Sequence, residues 1–241
     1  MYIRATNLRN MFIVVTGASK GIGLEIVKQF LVDEENTVLA VSRSSKELTA
    51  LHKNHPKNLI TVFGDLNKTP TQNRILTILK NKKVQLDILI NNAGTIVNKP
   101  FEKITSKELS YIYSVNVFAP FLLIQKLLPV LGKKNKSHIV NISSMGGVQG
   151  SSKFPGLSAY SSSKSALAGL TECLAEEFKA KNISVNCLAL GAVQTEMLSK
   201  AFPGYKAPLQ PKQMANFIID FASTGHQYFN GKIIPVSSTT P

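Results

Sequence analysis

The chain has 241 residues, 44% of them hydrophobic, and a formal net charge of +14. This length and composition predict a globular protein with a single domain over residues 1–241, and they exclude a disordered chain. The longest apolar runs, such as 117–124, are too short to span a bilayer, and the N-terminus shows no secretory signal. We therefore expect a cytoplasmic protein without a membrane segment.

Composition also argues against metal and nucleic-acid binding. Cys173 and Cys187 have no metal-ligand spacing and no neighbouring histidines, so we expect reduced thiols and no metal. The lysines are scattered and are not interleaved with aromatic residues, which disfavours a nucleic-acid partner. The positive charge is open to three interpretations: a solvated surface, an acidic partner or an anionic cofactor.

Short β-rich apolar runs alternate along the chain with longer helical patterns. Several runs are continuously apolar, which is typical of strands buried on both faces. The predicted strands cover 11–17, 37–42, 59–65, 86–94, 137–144, 183–190 and 232–237. Helices are predicted over 21–34, 69–83, 108–131 and 158–181, the third with a kink at Pro120. The alternation predicts an α/β fold: a doubly wound, Rossmann-like parallel sheet of about seven strands with helices on both faces.

Ligands of such sheets bind at the carboxyl ends of the strands, so the residues after each strand matter most. The first strand runs into TGASKGIG, with glycines at 17, 21 and 23 directly before a helix. Glycine permits a tight turn and close approach, and the helix N-terminus offers N–H groups to a phosphate. We predict a pyrophosphate cradle; the alternative is an ordinary glycine-rich turn.

The residues after the second strand point to the cofactor. Ser42 and Arg43 stand where an acidic residue would hold the ribose of NAD, and Lys20 lies within the glycine turn. Two cations without a carboxylate suit a ribose 2′-phosphate, so we predict NADP(H). The alternative is that both are ordinary surface charges.

Polar residues follow three further strands. Asp65 could accept a hydrogen bond from an adenine or cap a helix, and the residues alone leave both open. The NNAG stretch, 91–94, joins asparagines that can tie loops together to a glycine that lets a cofactor approach. Ser143 and Ser144 stand at the mouth of the fifth strand.

Tyr160 and Lys164 are four residues apart in a predicted helix, so they share one face. A nearby ammonium lowers the pKa of a phenol, which would make Tyr160 a general acid/base for a carbonyl oxygen. The spacing by itself is common, and a satisfied tyrosine beside a surface lysine is the alternative.

The motifs TGASKGIG, NNAG, SVNVFAP, NISS, YSSSK and GAVQT occur in that order along the chain. Together they resemble the short-chain dehydrogenase/reductase family in its compact form, over residues 11–237. The resemblance implies hydride transfer between NADP(H) and a small carbonyl or alcohol substrate.

The resemblance also implies roles for single residues. Tyr160 matches the acid/base, and Lys164 the residue that lowers its pKa and binds the nicotinamide ribose. Ser144 matches the serine that orients the carbonyl, with Ser143 as the fallback, and Asn116 matches the asparagine that holds a water of a proton relay. The expected cofactor contacts, besides Tyr160 and Lys164, are Gly17, Ser19, Lys20, Gly21, Ile22, Gly23, Ser42, Arg43, Asp65, Leu66, Asn92, Ala93, Gly94, Gly191, Val193 and Thr195.

Some features depart from the family or vary within it. Leu190 replaces the usual proline after the sixth strand, residues 1–10 form an N-terminal extension, and 197–213 is expected to be a short substrate lid. Apolar side chains and the lid lysines Lys200 and Lys206 would suit a hydrophobic or an acidic ketone. The expected apolar lining consists of Met145, Phe154, Leu157, Leu190, Met197 and Phe202.

Carbonyl reduction is the expected activity. Two alternatives are a 3-oxoacyl-carrier-protein reductase, whose acidic carrier would suit the basic surface, and a non-catalytic NADP-binding redox sensor. Small and apolar residues at 166, 169, 170 and 173 on the last predicted helix suggest a helix-mediated homodimer or homotetramer, with packing inside the subunit as the alternative.

Overall fold

The computed structural model of the protein describes residues 10–237. Within this range all the strands belong to one parallel sheet with the order β3-β2-β1-β4-β5-β6-β7. Their bounds are β1 Phe12–Thr16, β2 Thr37–Ser42, β3 Leu59–Phe63, β4 Ile88–Asn91, β5 Ser137–Ser144, β6 Ile183–Leu190 and β7 Ile233–Val236. The order reverses between β1 and β4, so the predicted doubly wound sheet is confirmed.

Helices cover both faces of the sheet because the strands alternate their side chains. In β1, Ile13 and Val15 pack in one apolar cluster, while Phe12 and Val14 pack in a second cluster on the other face. The helices are α1 Gly21–Phe30, α2 Lys46–Asn54, α3 Thr69–Asn81, α4 Ser106–Tyr113, α5 Ala119–Leu127, α6 Ser158–Glu177, α7 Glu196–Ala201 and α8 Pro211–Thr224. The first cluster includes residues of α1, α2 and α8, and the second those of α3, α5 and α6.

The predicted helix 108–131 is not one regular helix. A π-helical turn, Ser114–Phe118, separates α4 from α5, and the Ala119 amide donates to Ser114 O, five residues back. Pro120 is the second residue of α5, so the irregular turn lies just before the proline and not at it. Proline has no N–H to donate into the preceding turn, and the wider turn accommodates that loss.

The helical segment Ser106–Val130 is the one segment within residues 10–237 whose length and hydropathy alone would permit a membrane span. Its buried side chains include Ile112, Leu123, Ile124 and Leu127, the last three within the apolar cluster under the sheet. We identify it as a core helix of the fold.

Two further predicted segments are the N-terminal extension, 1–10, and the lid, 197–213. Residues 1–9 of the expected N-terminal extension lie outside the described residues. The expected lid, 197–213, contains most of α7, a loop and the first three residues of α8. Met214 and Ala215, which follow the segment in α8, are buried in the core cluster, and the role of 197–213 as a lid stays a prediction.

Candidate active site

A cavity of about 610 Å³ lies at the carboxyl ends of the strands, across the point where the strand order reverses. All the predicted cofactor-binding residues line it, and so does Ser144. Asn116 is the exception among the predicted site residues, because it is buried and does not line the cavity. The fold thus brings residues from six strand ends and the helix α6 to one place.

The glycine turn between β1 and α1 requires glycine for steric reasons. Gly17 and Gly21 have φ angles of 67° and 55°, in the left-handed region. A Cβ on Gly23 would lie 2.3 Å from Gly17 O and 2.4 Å from Asn92 Nδ2. The Asn92 amide donates to Thr16 O at 3.0 Å and to Gly17 O at 3.2 Å, so it ties the loop after β4 to this turn.

Ser42 and Arg43 lie at the end of the cavity where the 2′-phosphate of NADP(H) is expected. The Ser42 hydroxyl is buried without a hydrogen-bond partner among the described residues, and Arg43 is exposed at the rim. Arg43 Nη1 lies 3.4 Å from the hydroxyl of Tyr111, a residue that the sequence analysis missed. Tyr111, Val115 and Ala119 line the cavity at i, i+4 and i+8, and this helical spacing is the signal that would have found them.

Lys20 is not a free cation in this structure. Its ammonium forms an ion pair with Glu196, the first residue of α7, and Lys200 pairs with the same carboxylate at 2.5 Å. The two lysines hold the pKa of Glu196 down at about 2, so this carboxylate is ionised at neutral pH. Two elements, the glycine turn and α7, are thereby joined at the cavity rim.

Asp65 lines the cavity and also organises the turn before α3. Its Oδ1 accepts the Asn67 amide at 3.0 Å, and its carbonyl oxygen accepts the Lys68 amide at 3.0 Å. The carboxylate fixes its own loop and does not cap α3, whose N-cap is Lys68 without a side-chain hydrogen bond. Its place in the cavity wall is compatible with the adenine contact.

Ser144, Tyr160 and Lys164 converge on the other side of the cavity. All three line the cavity, and Lys164 Nζ lies 5.9 Å from the centre of the tyrosine ring. Ser143 instead donates to Lys164 O at 2.9 Å, which engages it with the backbone of α6. The geometry thus favours Ser144 over Ser143 as the serine beside a substrate.

The pKa of Tyr160 shifts opposite to the expectation from the sequence. Burial raises it, and the hydrogen bond from Ser144 offsets this only in part. Lys164 Nζ donates to Ile142 O at 2.7 Å, and burial lowers the pKa of this amine to about 8. In the protein alone, desolvation outweighs the effect of the ammonium on the phenol.

Asn116 supports the site from behind. Its Nδ2 donates to Thr95 O at 3.0 Å and to Ser163 Oγ at 2.9 Å, and its Oδ1 accepts the Thr95 amide at 2.8 Å. A Cβ on Gly94 would lie 3.5 Å from both Asn116 Oδ1 and Lys164 Nζ. Asn116 therefore joins the loop after β4 to α6, and its part in a proton relay stays a prediction.

The apolar residues expected around a substrate all line the cavity, whereas the lid lysines Lys200 and Lys206 do not. The structure therefore gives no support to a role for these two lysines in binding an acidic ketone.

The donors at the other end of the cavity fit a nicotinamide dinucleotide. The α1 N-terminus faces it without a side-chain cap from Lys20, and N–H groups in a first helical turn have no intrahelical partner. The unpartnered Ser42 hydroxyl lies beside Arg43 in the same wall. An elongated ligand with phosphate groups would contact both the α1 N-terminus and the wall formed by Ser42 and Arg43.

Comparisons with known proteins agree with this geometry. A family model described as short chain dehydrogenase matches residues 11–206. The 3alpha-hydroxysteroid dehydrogenase of Mediterraneibacter gnavus is 30% identical, over 95% of this chain and 96% of that protein. The 3-oxoacyl-acyl-carrier-protein reductase of Chlamydia trachomatis is 26% identical, over 95% and 96% of the two chains.

A solved structure is also similar over nearly the whole chain. It is that of a 4-hydroxyisoleucine dehydrogenase complexed with NADH, with a TM-score of 0.83 and 28% sequence identity. The match covers 94% of this chain and 97% of that one. The chain therefore belongs to the short-chain dehydrogenase/reductase family of oxidoreductases.

Proposed function

We propose that the protein is a cytoplasmic, NADP(H)-dependent carbonyl reductase formed by one catalytic domain, with Ser144, Tyr160 and Lys164 as its catalytic residues. The observation that carries the proposal is the convergence of these three side chains on one wall of the cavity. The opposite end of the same cavity holds the glycine turn and Arg43. A substrate between them would contact proton donor and cofactor together.

The glycine turn and the α1 N-terminus would hold the pyrophosphate, and Asp65 would lie near the adenine. Lys164 and the segment with Gly191, Val193 and Thr195 would hold the nicotinamide end. A bound nicotinamide supplies the hydride that is added to the carbonyl carbon. Tyr160 lines the same cavity as the residues that would hold the nicotinamide.

The proton chemistry belongs to the protein. Ser144 would donate a hydrogen bond to the carbonyl oxygen and orient it. Tyr160 would transfer its phenolic proton to that oxygen, and the positive charge of Lys164 would stabilise the phenolate that remains. Asn116 would act as a positioning residue that holds α6 against the loop after β4.

The preference for NADP(H) rests on the residues after β2. Ser42 and Arg43 line the cavity there, and neither carries the carboxylate that would favour an unphosphorylated ribose. Lys20 contributes less than its position suggests, because it shares Glu196 with Lys200. Arg43 is therefore the residue on which the proposed preference depends.

Two alternative functions can be distinguished from a carbonyl reductase by experiment. A 3-oxoacyl-carrier-protein reductase would use the same catalytic residues, and the Chlamydia relative and the +14 charge favour it. A redox sensor would bind the cofactor without needing Tyr160 beside Ser144. Because Ser144, Tyr160 and Lys164 line the same cavity, we favour an enzyme.

The test is NADPH oxidation with a panel of neutral ketones, a 3-oxoacyl thioester and their alcohols. We expect ketone turnover that falls by about 1000-fold in Tyr160→Phe, because the general acid is lost, with NADPH affinity retained. Tyr228→Phe is the matched control, since Tyr228 is 78% exposed on the surface. A sensor is indicated if NADPH binds but no carbonyl or alcohol is converted.

A further inference from the structure

The substrate side of the cavity has an aromatic wall. Phe154, in the loop before α6, and Phe202, directly after α7, meet edge to face with ring centres 5.8 Å apart and an interplanar angle of 72°. Both side chains line the cavity. Aromatic pairs of this kind favour further apolar or aromatic groups placed against them.

The backbone on each side of this wall is fixed by hydrogen bonds from one loop. Asn98 Nδ2 donates to Ala201 O at 2.7 Å, directly before Phe202, and the Lys99 amide donates to Gly156 O at 3.0 Å, two residues after Phe154. Gly156 has a φ of 85°, and a Cβ there would lie 2.1 Å from Asn98 Oδ1. The wall is therefore held in place before any ligand arrives.

Three further apolar side chains lie at this end of the cavity. Met145 follows β5, Leu190 ends β6, and Met197 lies on α7, and all three line the cavity. Leu190 adds a branched side chain to the wall. Thioether groups beside aromatic rings adapt to ring-shaped ligands.

The charged groups around this region already have partners. Glu196 faces the glycine turn through Lys20, and Lys200 is paired with that same carboxylate. Lys153 Nζ donates to Val148 O at 2.6 Å and does not line the cavity. Lys164, the nearest cation, already donates to Ile142 O beneath Tyr160. A carboxylate placed among these side chains would lose its hydration without gaining a partner.

We propose that this end of the cavity selects uncharged ketones that carry a ring-sized apolar group, and that it rejects ketones bearing a carboxylate. The inference rests on the proposed carbonyl reductase function and adds the substrate class. Phe154, Phe202 and Leu190 are the residues that set the preference. The reaction itself is unchanged: hydride to the carbonyl carbon, and the Tyr160 proton to its oxygen.

The experiment compares methyl 4-acetylbenzoate with 4-acetylbenzoate at pH 7, using NADPH and the full chain. The two ketones have the same ring and carbonyl, and only the acid is charged. We expect kcat/KM to be at least about 100-fold higher for the ester, because a buried carboxylate without a partner is strongly disfavoured. 2-Butanone serves as the small neutral ketone.

Two variants probe the wall. Phe202→Ala should raise the KM for the ester about tenfold, because the variant loses a contact with the ring of this ketone. The KM for 2-butanone should change little, because this ketone has no ring and the contacts to the reacting carbonyl remain. Phe202→Lys should shift the ester-to-acid ratio by about tenfold towards the acid, since it provides the missing cation. Circular dichroism and NADPH affinity report whether each variant is folded.

The outcomes separate the two proposals. Equal or better turnover of the acid overturns the substrate class and leaves the reductase intact. Turnover of 2-butanone without either aromatic ketone does the same. If NADPH binds and none of the three ketones is reduced, the reductase proposal fails and the substrate class fails with it.

Discussion

Burial shifts the pKa values of both Tyr160 and Lys164 in the direction that favours the neutral form. The pKa of Tyr160 is raised, so the phenol keeps its proton at neutral pH, which is the form that the reduction of a carbonyl needs. The pKa of Lys164 is lowered to about 8, so the amine is still mostly protonated at pH 7. The protein alone is thus prepared for the reductive direction.

Arg43 carries the residue-scale prediction about the cofactor. In Arg43→Asp we expect the KM for NADPH to rise about 100-fold, because a charge-assisted contact is replaced by repulsion, while the KM for NADH changes little. Steady-state kinetics with one ketone and both cofactors measures this. Arg74→Asp, on the exposed side of α3, makes the same change of charge away from the cavity. Equal effects on NADPH and NADH would refute the NADP(H) preference.

For single residues, the sequence predicts which side chains line the cavity better than it predicts their burial and their ion pairs. The order of the motifs identified the residues that line the cavity, including all three that converge at Tyr160. It did not indicate the raised pKa of Tyr160, because burial depends on how α6 packs against β5. The Lys20–Glu196 ion pair was also missed, since 176 residues separate its partners.

Helix α6 combines the site with a small, accessible surface. Ala166, Gly169 and Leu170 are only partly buried, Cys173 is exposed, and a Cβ on Gly169 would meet nothing within 4 Å. Leu170 packs against the second core cluster, but packing inside the subunit does not account for Gly169 or Cys173. We propose that this surface pairs with a second copy of the chain in a homodimer or homotetramer.

Light scattering at micromolar concentration tests this pairing. We expect a dimer or tetramer for the native chain and a monomer for Gly169→Glu, because a charge at a close helix contact is costly while glutamate is a better helix former than glycine. Ala50→Glu, on the exposed side of α2, adds the same charge elsewhere and should leave the assembly intact. A monomeric native chain would contradict the proposal.

Among the elements, strands were easier to predict than helices. Strands buried on both faces are continuous apolar runs, and β2, β5 and β6 match their predicted bounds exactly in the chain. Helices α2 and α8 were missed because their patterns are short or lie next to proline-rich sequence. Met214, Ile218 and Phe221 of α8 do follow a helical period, so the signal was present and was assigned in part to the lid.

At the scale of the whole molecule, a polar group lies buried at the opposite end of β5 from the site. His138 Nδ1 donates to Ala222 O at 2.9 Å, and its Nε2 lies 3.0 Å from Asn186 Nδ2. Asn186 also donates to Phe229 O and accepts the Lys232 amide, so its amide orientation is fixed. A proton on Nε2 would face another donor.

Burial lowers the pKa of His138 from 6.5 to about 4, with smaller contributions from His226 and Lys136, and the hydrogen bond to Ala222 opposes this only in part. The unfolded chain binds this proton more readily than the folded one, so stability is full above pH 6.5 and falls as the pH drops towards 4. We expect a loss of roughly 3 kcal/mol in the free energy of unfolding across this window. Urea denaturation at several pH values measures it.

The control is His55→Gln, which should keep the pH dependence of the native chain, whereas His138→Gln should flatten it. A histidine NMR titration gives an independent measurement when the second variant is poorly folded. A pKa for His138 near 6.5 in the folded protein would refute the prediction.

The topology of the sheet followed from the order of runs and motifs, because crossover connections leave few arrangements for alternating strands and helices. The polar cluster at His138 did not follow, since His138, Asn186 and Ala222 meet only when β5, β6 and α8 are packed. Local patterns thus carry the architecture, and packing between distant segments decides the electrostatics.

The π turn at Ser114–Phe118 changes the direction in which the side chains after it point, relative to those before it. Each helical residue turns the chain by about 100°, so one extra residue rotates everything that follows by that angle. Tyr111 and Val115 then line the cavity, while Leu123 and Leu127 pack in the second core cluster. Relative to an unbroken α-helical pattern, the positions of α5 that face the core are therefore displaced by one residue along the sequence.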